Sequence, residues 1–238
     1  MQSIQIGKSL INYKTIRTGR KTLGINIDPE KGVIVRSPKS LSDNKIEDMI
    51  RKKASWILEK LDRVKEIKPK PTPKEYLSGE KLLYIGRRYR IQVEPDDIKK
   101  TSIKLYQGHF YIKYPNHKDR IKSIKPALED WYRQHAKSKF LERINKYKKT
   151  LGLEPNNVII KAQKKRWGSC SSRNNINLNY RLIMAPMSVI DYIIVHELTH
   201  LKYPDHSNEF WNLLETVIPN YEEKQEWLRI NGNRLIII

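Results

Sequence analysis

The chain has 238 residues and a formal net charge of +21, with 47 Lys or Arg against 26 Asp or Glu. Its single cysteine excludes an internal disulfide, and no run of about 18 apolar residues is present that would span a membrane. Because the first twenty residues also lack the apolar stretch of a signal peptide, we expect a cytoplasmic protein with no membrane partner.

The excess of positive charge lies in the first part of the chain. Residues 1–150 hold 37 Lys or Arg against 17 Asp or Glu, whereas residues 151–238 hold 10 against 9. A basic field of this size attracts polyanions. Nucleic acid or another polyanion is therefore a candidate partner of the N-terminal region.

Short strands joined by turns are predicted at the start of the chain. We expect a strand around residues 4–16, a hairpin of residues 22–27 and 33–37, and a helix through residues 42–64. Residues 68–74 contain three prolines and three lysines. This composition indicates an extended linker after the helix.

Two further hairpins are predicted, from residues 82–85 with 89–93 and from residues 103–106 with 110–114. Arginines, lysines and tyrosines interleave in both hairpins. This alternation is typical of any half-exposed antiparallel sheet, yet the same residue types neutralise phosphates and stack on bases. The pattern leaves both interpretations open.

The rest of the chain predicts a long helix over residues 120–150, strands near 155–163 and 176–182, and three helices. The first of these helices is expected from Ser188 to Tyr203, because Pro204 disfavours helix at the residue before it. The other two are expected over residues 208–218 and 220–232. Strands and helices in this order predict an α+β fold.

The helix after the strands carries the sequence His-Glu-Leu-Thr-His at residues 196–200. Positions four apart share a helix face, so His196 and His200 can bind one metal ion. Glu197 lies on the adjacent flank, where its carboxylate can act on a metal-bound water. The neighbouring residues are apolar and indicate a buried helix, in which these polar side chains are costly without a cation.

A third ligand is expected because a catalytic zinc usually takes three protein ligands and leaves one position for water. His206 follows a Tyr-Pro-Asp turn that can bring it to the same ion. Glu209 or Glu215 from the next helix is the alternative. A metzincin site is disfavoured, because Tyr203 stands where those proteins have glycine and no methionine follows Met187.

Three segments of the C-terminal half resemble the YgjP-like family of metal-dependent hydrolases, which is related to the SprT-like proteases and the minigluzincins. They are Lys-Lys-Arg-Trp-Gly-Ser-Cys-Ser-Ser from Lys164, Ile-Asn-Leu-Asn-Tyr-Arg-Leu from Ile176, and the histidine-containing segment 195–211. The stretch 22–38 and the helix after it are similar to the family's N-terminal half. The resemblance implies a zinc hydrolase with His196, His200 and His206 as ligands and Glu197 as catalytic base.

The resemblance also implies that the strand before the metal helix borders the substrate cleft and pairs with an extended peptide. Asn177 and Asn179 would project from one face of that strand. They are therefore candidate substrate-cleft residues, with plain solvent exposure as the alternative.

We accordingly expect a metallopeptidase that cleaves peptide bonds of a peptide or protein substrate with a zinc-activated water and Glu197 as general base. Residues 1–118 would form a basic β-rich N-terminal region. Residues 119–238 would form a helical, zincin-like catalytic region with a small mixed sheet. The alternatives are a metal-dependent phosphohydrolase acting on nucleotides or nucleic acid, and a nucleic-acid-binding protein with a structural zinc.

Overall fold

The structure, a computed structural model, describes residues 2–163 and 165–236, and in these ranges strands and helices combine into an α+β fold, as predicted. Lys164, the first residue of the Lys-Lys-Arg-Trp motif, lies outside the described residues. None of the helices in these ranges combines the length and apolar character needed to cross a membrane. The chain divides into two compact units, Met1–Lys68 and Pro69–Ile238.

The first unit is a four-stranded sheet with two helices. Its strands are β1 (Gln2–Ile6), β2 (Ser9–Thr18), β3 (Gly24–Asp28) and β4 (Gly32–Pro38), in the order β1-β2-β4-β3. The outer pairs are antiparallel and the central pair β2–β4 is parallel. Helices α1 (Asp43–Lys52) and α2 (Ala54–Lys65) follow, and alternate strand residues bury Ile11, Tyr13 and Val35 in one core with Ile50 and Ile57.

Two elements of this unit differ from the sequence prediction. The strand expected over residues 4–16 is a hairpin, because Gly7 takes a left-handed conformation with φ of 56° and reverses the chain. The single helix expected over residues 42–64 is interrupted at Lys53, whose φ of −103° departs from helical geometry.

The second unit begins with a sheet of the same topology. Its strands are β5 (Lys81–Tyr84), β6 (Arg87–Asp96), β7 (Ser102–Tyr106) and β8 (His109–Pro115), in the order β5-β6-β8-β7. Both predicted hairpins are confirmed, and a parallel pair β6–β8 joins them. A 32-residue helix, α3 (Arg120–Leu151), then packs its apolar side on this sheet.

The boundary between the two compact units lies between residues 68 and 69, whereas the boundary predicted from the sequence lies between residues 118 and 119. Phe110 of β8 packs edge-on against Trp131 of α3 with ring centroids 4.9 Å apart, and the Tyr132 hydroxyl donates to the Leu83 carbonyl. Ile91, Phe110 and the buried side of α3 belong to one hydrophobic core. The second sheet therefore belongs to the C-terminal unit.

A three-stranded sheet and three helices complete the second unit. The strands are β9 (Asn157–Lys161), β10 (Gly168–Cys170) and β11 (Asn175–Asn179), in the order β10-β11-β9. Strand β11 pairs on both sides, antiparallel to β10 and parallel to β9, so β10 is an edge strand. The helices are α4 (Met187–Thr199), α5 (Asn208–Val217) and α6 (Tyr221–Asn231).

Helix α4 is held at both its start and its middle. The β5–β6 turn donates from the Ile85 and Gly86 amides to the carbonyls of Ile183 and Met184, just before the helix begins. Midway along α4, the Asp191 carboxylate accepts two hydrogen bonds from the Arg143 guanidinium of α3, at 2.6 and 2.7 Å. A two-point pair of this kind fixes orientation as well as distance. The helix that carries the histidines is thus rigidly placed.

Candidate metal centre

The end of α4 sets the position of two histidines. His196 lies one turn before the helix ends, and His200 is the first residue after it. The helix stops at Thr199, four residues earlier than predicted, and the chain continues as a turn in which the Lys202 and Tyr203 amides donate to the Thr199 carbonyl. Both imidazoles still share one face, because the turn keeps the local geometry of a helix.

The turn that follows brings His206 back to the same place. The Nε2 atoms of His196 and His206 lie 3.2 Å apart. One ligand atom from each of His196, His200 and His206 lies within 4.8 Å of the others. Within the described residues, neither Glu209 nor Glu215 belongs to such a group, and both are exposed. The three residues predicted as ligands are therefore brought together.

The geometry and charge state of the cluster fit a divalent cation. Two nitrogens bound tetrahedrally to zinc at about 2.0–2.1 Å are about 3.3 Å apart, close to the separation of the His196 and His206 Nε2 atoms. Burial, together with the neighbouring His200 and His206, lowers the pKa of His196 to about 3. Imidazole must be neutral to bind a metal, so His196 is already in the required form.

Neighbouring groups orient the imidazoles. The Nδ1–H of His200 donates to the Tyr203 carbonyl at 3.0 Å, which leaves Nε2 as the free nitrogen. Phe210 of α5 is fully buried and its ring lies 4.6–4.9 Å from all three imidazole centroids. Trp211 stacks on His206 with ring centroids 5.5 Å apart. These contacts limit the rotation of each ring before any ion arrives.

Glu197 points its carboxylate into the same region from a buried position. The residue is 5% exposed, and its Oε2 atom has no hydrogen-bond partner among the described residues. Burial raises the pKa of Glu197 to about 8, against the opposing effects of the Arg166 charge and a hydrogen bond from the Cys170 amide. A buried carboxyl group with one oxygen free and a pKa close to neutrality can exchange a proton or a hydrogen bond with a bound molecule.

Gly168 makes room for this carboxylate. A Cβ atom at that position would lie 2.5 Å from Glu197 Oε1 and 2.8 Å from Cδ. Real Cβ atoms essentially never come this close, so any larger residue would force the Glu197 side chain or strand β10 to shift.

The histidines and Glu197 line an open cleft of about 620 Å³. Its opposite wall is formed by strand β10 and the loop after it, from Gly168 to Ser172, with Arg166 and Asn174 alongside. Because β10 is an edge strand, its outer side carries backbone groups without a partner strand. The cleft therefore combines a metal-type cluster, a carboxylate and a strand edge.

The structure places Asn177 and Asn179 differently from the prediction. Both lie on β11, the central strand, and both are buried rather than exposed to cleft or solvent. The Asn179 amide donates to the Gln163 and Arg166 carbonyls, and its oxygen accepts from the Arg181 amide. Neither residue lines the cleft. Because β11 is paired on both sides, it has no free edge for a peptide.

Arg166 and Phe210 also belong to the site but were not among the residues predicted from the sequence. Arg166 lies in a loop with no regular pattern, and only its approach to Glu197 gives it a role there. Phe210 occupies an ordinary inward position of an amphipathic helix. No sequence signal distinguishes a ring that packs on histidines from one that packs on leucines.

The solved structures that resemble this chain include two metallopeptidase zymogens. One is abylysin of Pyrococcus abyssi, 28% identical, with 38% of this chain and 90% of that chain covered and a TM-score of 0.35. The other is jannalysin of Methanocaldococcus jannaschii, 27% identical, with 38% and 92% covered and a TM-score of 0.34. No curated protein matches the chain.

The comparison with protein families matches residues 21–231 to the YgjP-like family, described as a metallopeptidase domain. This match spans most of the 238 residues and includes the histidine cluster, Glu197 and strand β10. It confirms the resemblance read from the C-terminal motifs. The chain belongs to the YgjP-like family of metallopeptidases.

Proposed function

We propose that the chain is a zinc-dependent peptidase whose metal is held by His196, His200 and His206. The observation that carries the proposal is the convergence of three imidazole nitrogens within 4.8 Å at a cleft that also holds a buried carboxylate. Zinc bound there supplies a Lewis acid that lowers the pKa of water and polarises the scissile carbonyl. The membership of a metallopeptidase family supports the same chemistry.

Glu197 acts as the general base and then as the proton donor. Its free Oε2 accepts a proton from the attacking water, while the Cys170 amide keeps the other end of the carboxylate in place. The proton then passes to the nitrogen of the departing amine.

Strand β10 is the proposed guide for the substrate. An extended peptide that lies along this edge would add a strand to the β10-β11-β9 sheet and pass beside the histidines. Main-chain pairing of this kind recognises a peptide largely without regard to its side chains. This assignment replaces Asn177 and Asn179 as the substrate contacts.

The number of ligands favours a peptidase over the two alternatives. Phosphoryl transfer commonly uses two metal ions about 3.5–4 Å apart and the additional carboxylates that hold them. A structural zinc has four protein ligands. The described residues offer one group of three donors, all histidines, which suits a single catalytic ion with one open position.

The test compares peptide cleavage by the zinc-loaded protein with that by Glu197→Gln. We expect kcat on a mixed peptide library, read by mass spectrometry, to fall about 100-fold or more, because general-base catalysis contributes about 10²–10⁴-fold. Zinc content should be unchanged. The matched control is Glu209→Gln, an exposed carboxylate outside the histidine group, which should cleave like the parent. Equal cleavage by Glu197→Gln, or turnover of nucleotides instead of peptides, contradicts the proposal.

A further inference from the structure

The β5-β6-β8-β7 sheet has one covered face and one open face. Successive residues of a strand point to opposite sides, and here Ile91, Phe110 and Ile112 point toward α3 and are buried. The residues between them point the other way. Six of these define what we term the outer face: Arg88, Arg90, Lys104, Tyr106, His109 and Tyr111.

Strand pairing arranges these side chains in rows. Arg90 pairs with His109, which pairs with Tyr106, so a guanidinium and two rings lie side by side across three strands. In the next row Tyr111 pairs with Lys104. Neighbouring strands are about 4.8 Å apart. A ligand that contacts one of these rings can therefore also contact a neighbouring cation.

The cations of this face are not neutralised by the protein. Arg88, Arg90 and Lys104 form no salt bridge with any of the described residues. Lys113 at the far end of the sheet is paired with Asp96 at 3.0 Å. The unpaired charge is thus concentrated on the part of the face that also carries the rings.

Of the three rings, Tyr106 is exposed and His109 and Tyr111 are half-buried. Tyr106 is 62% exposed, the highest value among the exposed large hydrophobic side chains of the described residues. The Nδ1–H of His109 donates to the Gln107 carbonyl at 3.1 Å, which fixes that ring, and the His109 and Tyr111 ring centroids are 6.3 Å apart. Lys104, Tyr106 and Tyr111 also border an open recess of about 870 Å³ that runs along edge strand β7 and is lined on its other side by Trp131 and His135 of α3.

We propose that the outer face binds single-stranded nucleic acid. Cations alone would attract any polyanion, but exposed rings in the same rows add a surface on which unpaired bases stack. In a duplex the bases are already stacked and are not accessible to such rings. An anionic lipid surface or polyphosphate has no bases. The proposal does not depend on the peptidase assignment, because none of these residues lines the metal cleft.

The test measures binding of a fluorescein-labelled 12-nucleotide oligo-dT, with oligo-U as the RNA arm, to the full chain by fluorescence anisotropy. Tyr106→Leu should weaken binding about 5-fold to 100-fold, as the loss of one base–ring stack does. Its salt dependence should stay the same. Arg90→Gln should instead reduce the slope of log affinity against log salt by about 0.7, the contribution of one phosphate contact.

Two matched variants control for the charge and the aromatic content of the whole chain. Trp56→Leu removes a ring that is 40% exposed in the first unit, and Lys137→Gln removes an exposed cation of α3. Both should bind like the parent. The proposal would be overturned if the double variant Tyr106→Leu/Tyr111→Leu bound oligo-dT like the parent, or if the parent did not bind it at all. It would also be overturned if polyphosphate or anionic phosphatidylserine vesicles bound as tightly as oligo-dT.

Discussion

At the level of single residues, the position of the Glu197 carboxylate depends on how closely this side chain packs against the backbone of strand β10. The carboxylate lies over Gly168, accepts from the Cys170 amide and keeps one oxygen free. The three histidines do not share this dependence, because they are positioned by α4, the turn after it and Phe210. Glu197 and the histidines are therefore positioned by different contacts, which allows them to be perturbed separately.

Gly168→Ala should impair catalysis without loss of the metal. The added Cβ would displace the Glu197 carboxylate, and a misplacement of about 1 Å can cost about 100-fold in rate. We expect kcat for peptide cleavage to fall by that order while zinc affinity, measured by competition with a chelating dye, stays within a few-fold. Gly19→Ala is the control, because its Cβ meets nothing within 4 Å. Unchanged kcat would mean that Glu197 does not act from this position.

The convergence of the three histidines was predictable from the sequence, and the strand that forms the cleft wall was not. Spacing alone brings His196 and His200 together, and Pro204 forces the turn that returns His206. Alternation likewise predicted that Asn177 and Asn179 share a face. It does not reveal strand order, which depends on distant pairing, so the three-residue edge strand β10 could not be recognised as the cleft wall.

At the scale of elements, the start of α4 depends on the β5–β6 turn. Gly86 has φ of 74°, and a Cβ there would lie 2.9 Å from the Cα of Pro186, the residue that caps α4. Gly108 occupies the equivalent position of the β7–β8 turn with φ of 77°, yet its Cβ would meet nothing within 4 Å. The two glycines share a left-handed backbone conformation and differ in what an added Cβ would touch.

Alanine at these two positions should separate strain from contact. Both variants should lose about 1–2 kcal/mol of unfolding free energy, because alanine is unfavourable in the left-handed region. Gly86→Ala should lose about 1–3 kcal/mol more from the clash with Pro186. Urea unfolding followed by circular dichroism measures both values. Equal losses would show that the turn does not bear on α4.

Most elements were visible in the sequence because hydrophobic period is a local property. The spacing of apolar residues predicted both pairs of hairpin strands around Gly86 and Gly108, and the long helix α3 within two residues at each end. It did not predict the break at Lys53, because the apolar residues of α1 and α2 continue with the same helical spacing on both sides of it. The parallel pairing of β6 with β8 joins strands that no short loop connects, so it had no local signal.

At the scale of the whole molecule, the chain uses one sheet topology twice. The orders β1-β2-β4-β3 and β5-β6-β8-β7 share a parallel central pair between two hairpins, although no repeat is evident in the sequence. The first sheet closes its core with α1 and α2, and the second uses α3. The basic N-terminal region expected over residues 1–118 is therefore divided between two units.

Two fragments test where the catalytic unit begins. A fragment of residues 69–238 should unfold cooperatively and bind zinc like the full chain. One of residues 119–238 should not fold, because it lacks Ile91, Phe110 and Ile112, whose burial contributes about 1.5–3 kcal/mol each against a typical total of about 5–15 kcal/mol. Thermal unfolding by circular dichroism distinguishes the two. A stable 119–238 fragment would restore the boundary predicted from the sequence.

We propose that three imidazoles bind one zinc ion and leave a fourth position for solvent. Zinc K-edge X-ray absorption of the metal-loaded protein measures the number and type of these ligands directly. We predict one zinc per chain with three imidazole nitrogens and one further light atom at about 2.0–2.1 Å, and two imidazoles in the His206→Ala variant. A sulfur ligand, a fourth imidazole, or a spectrum unchanged by His206→Ala would contradict the account.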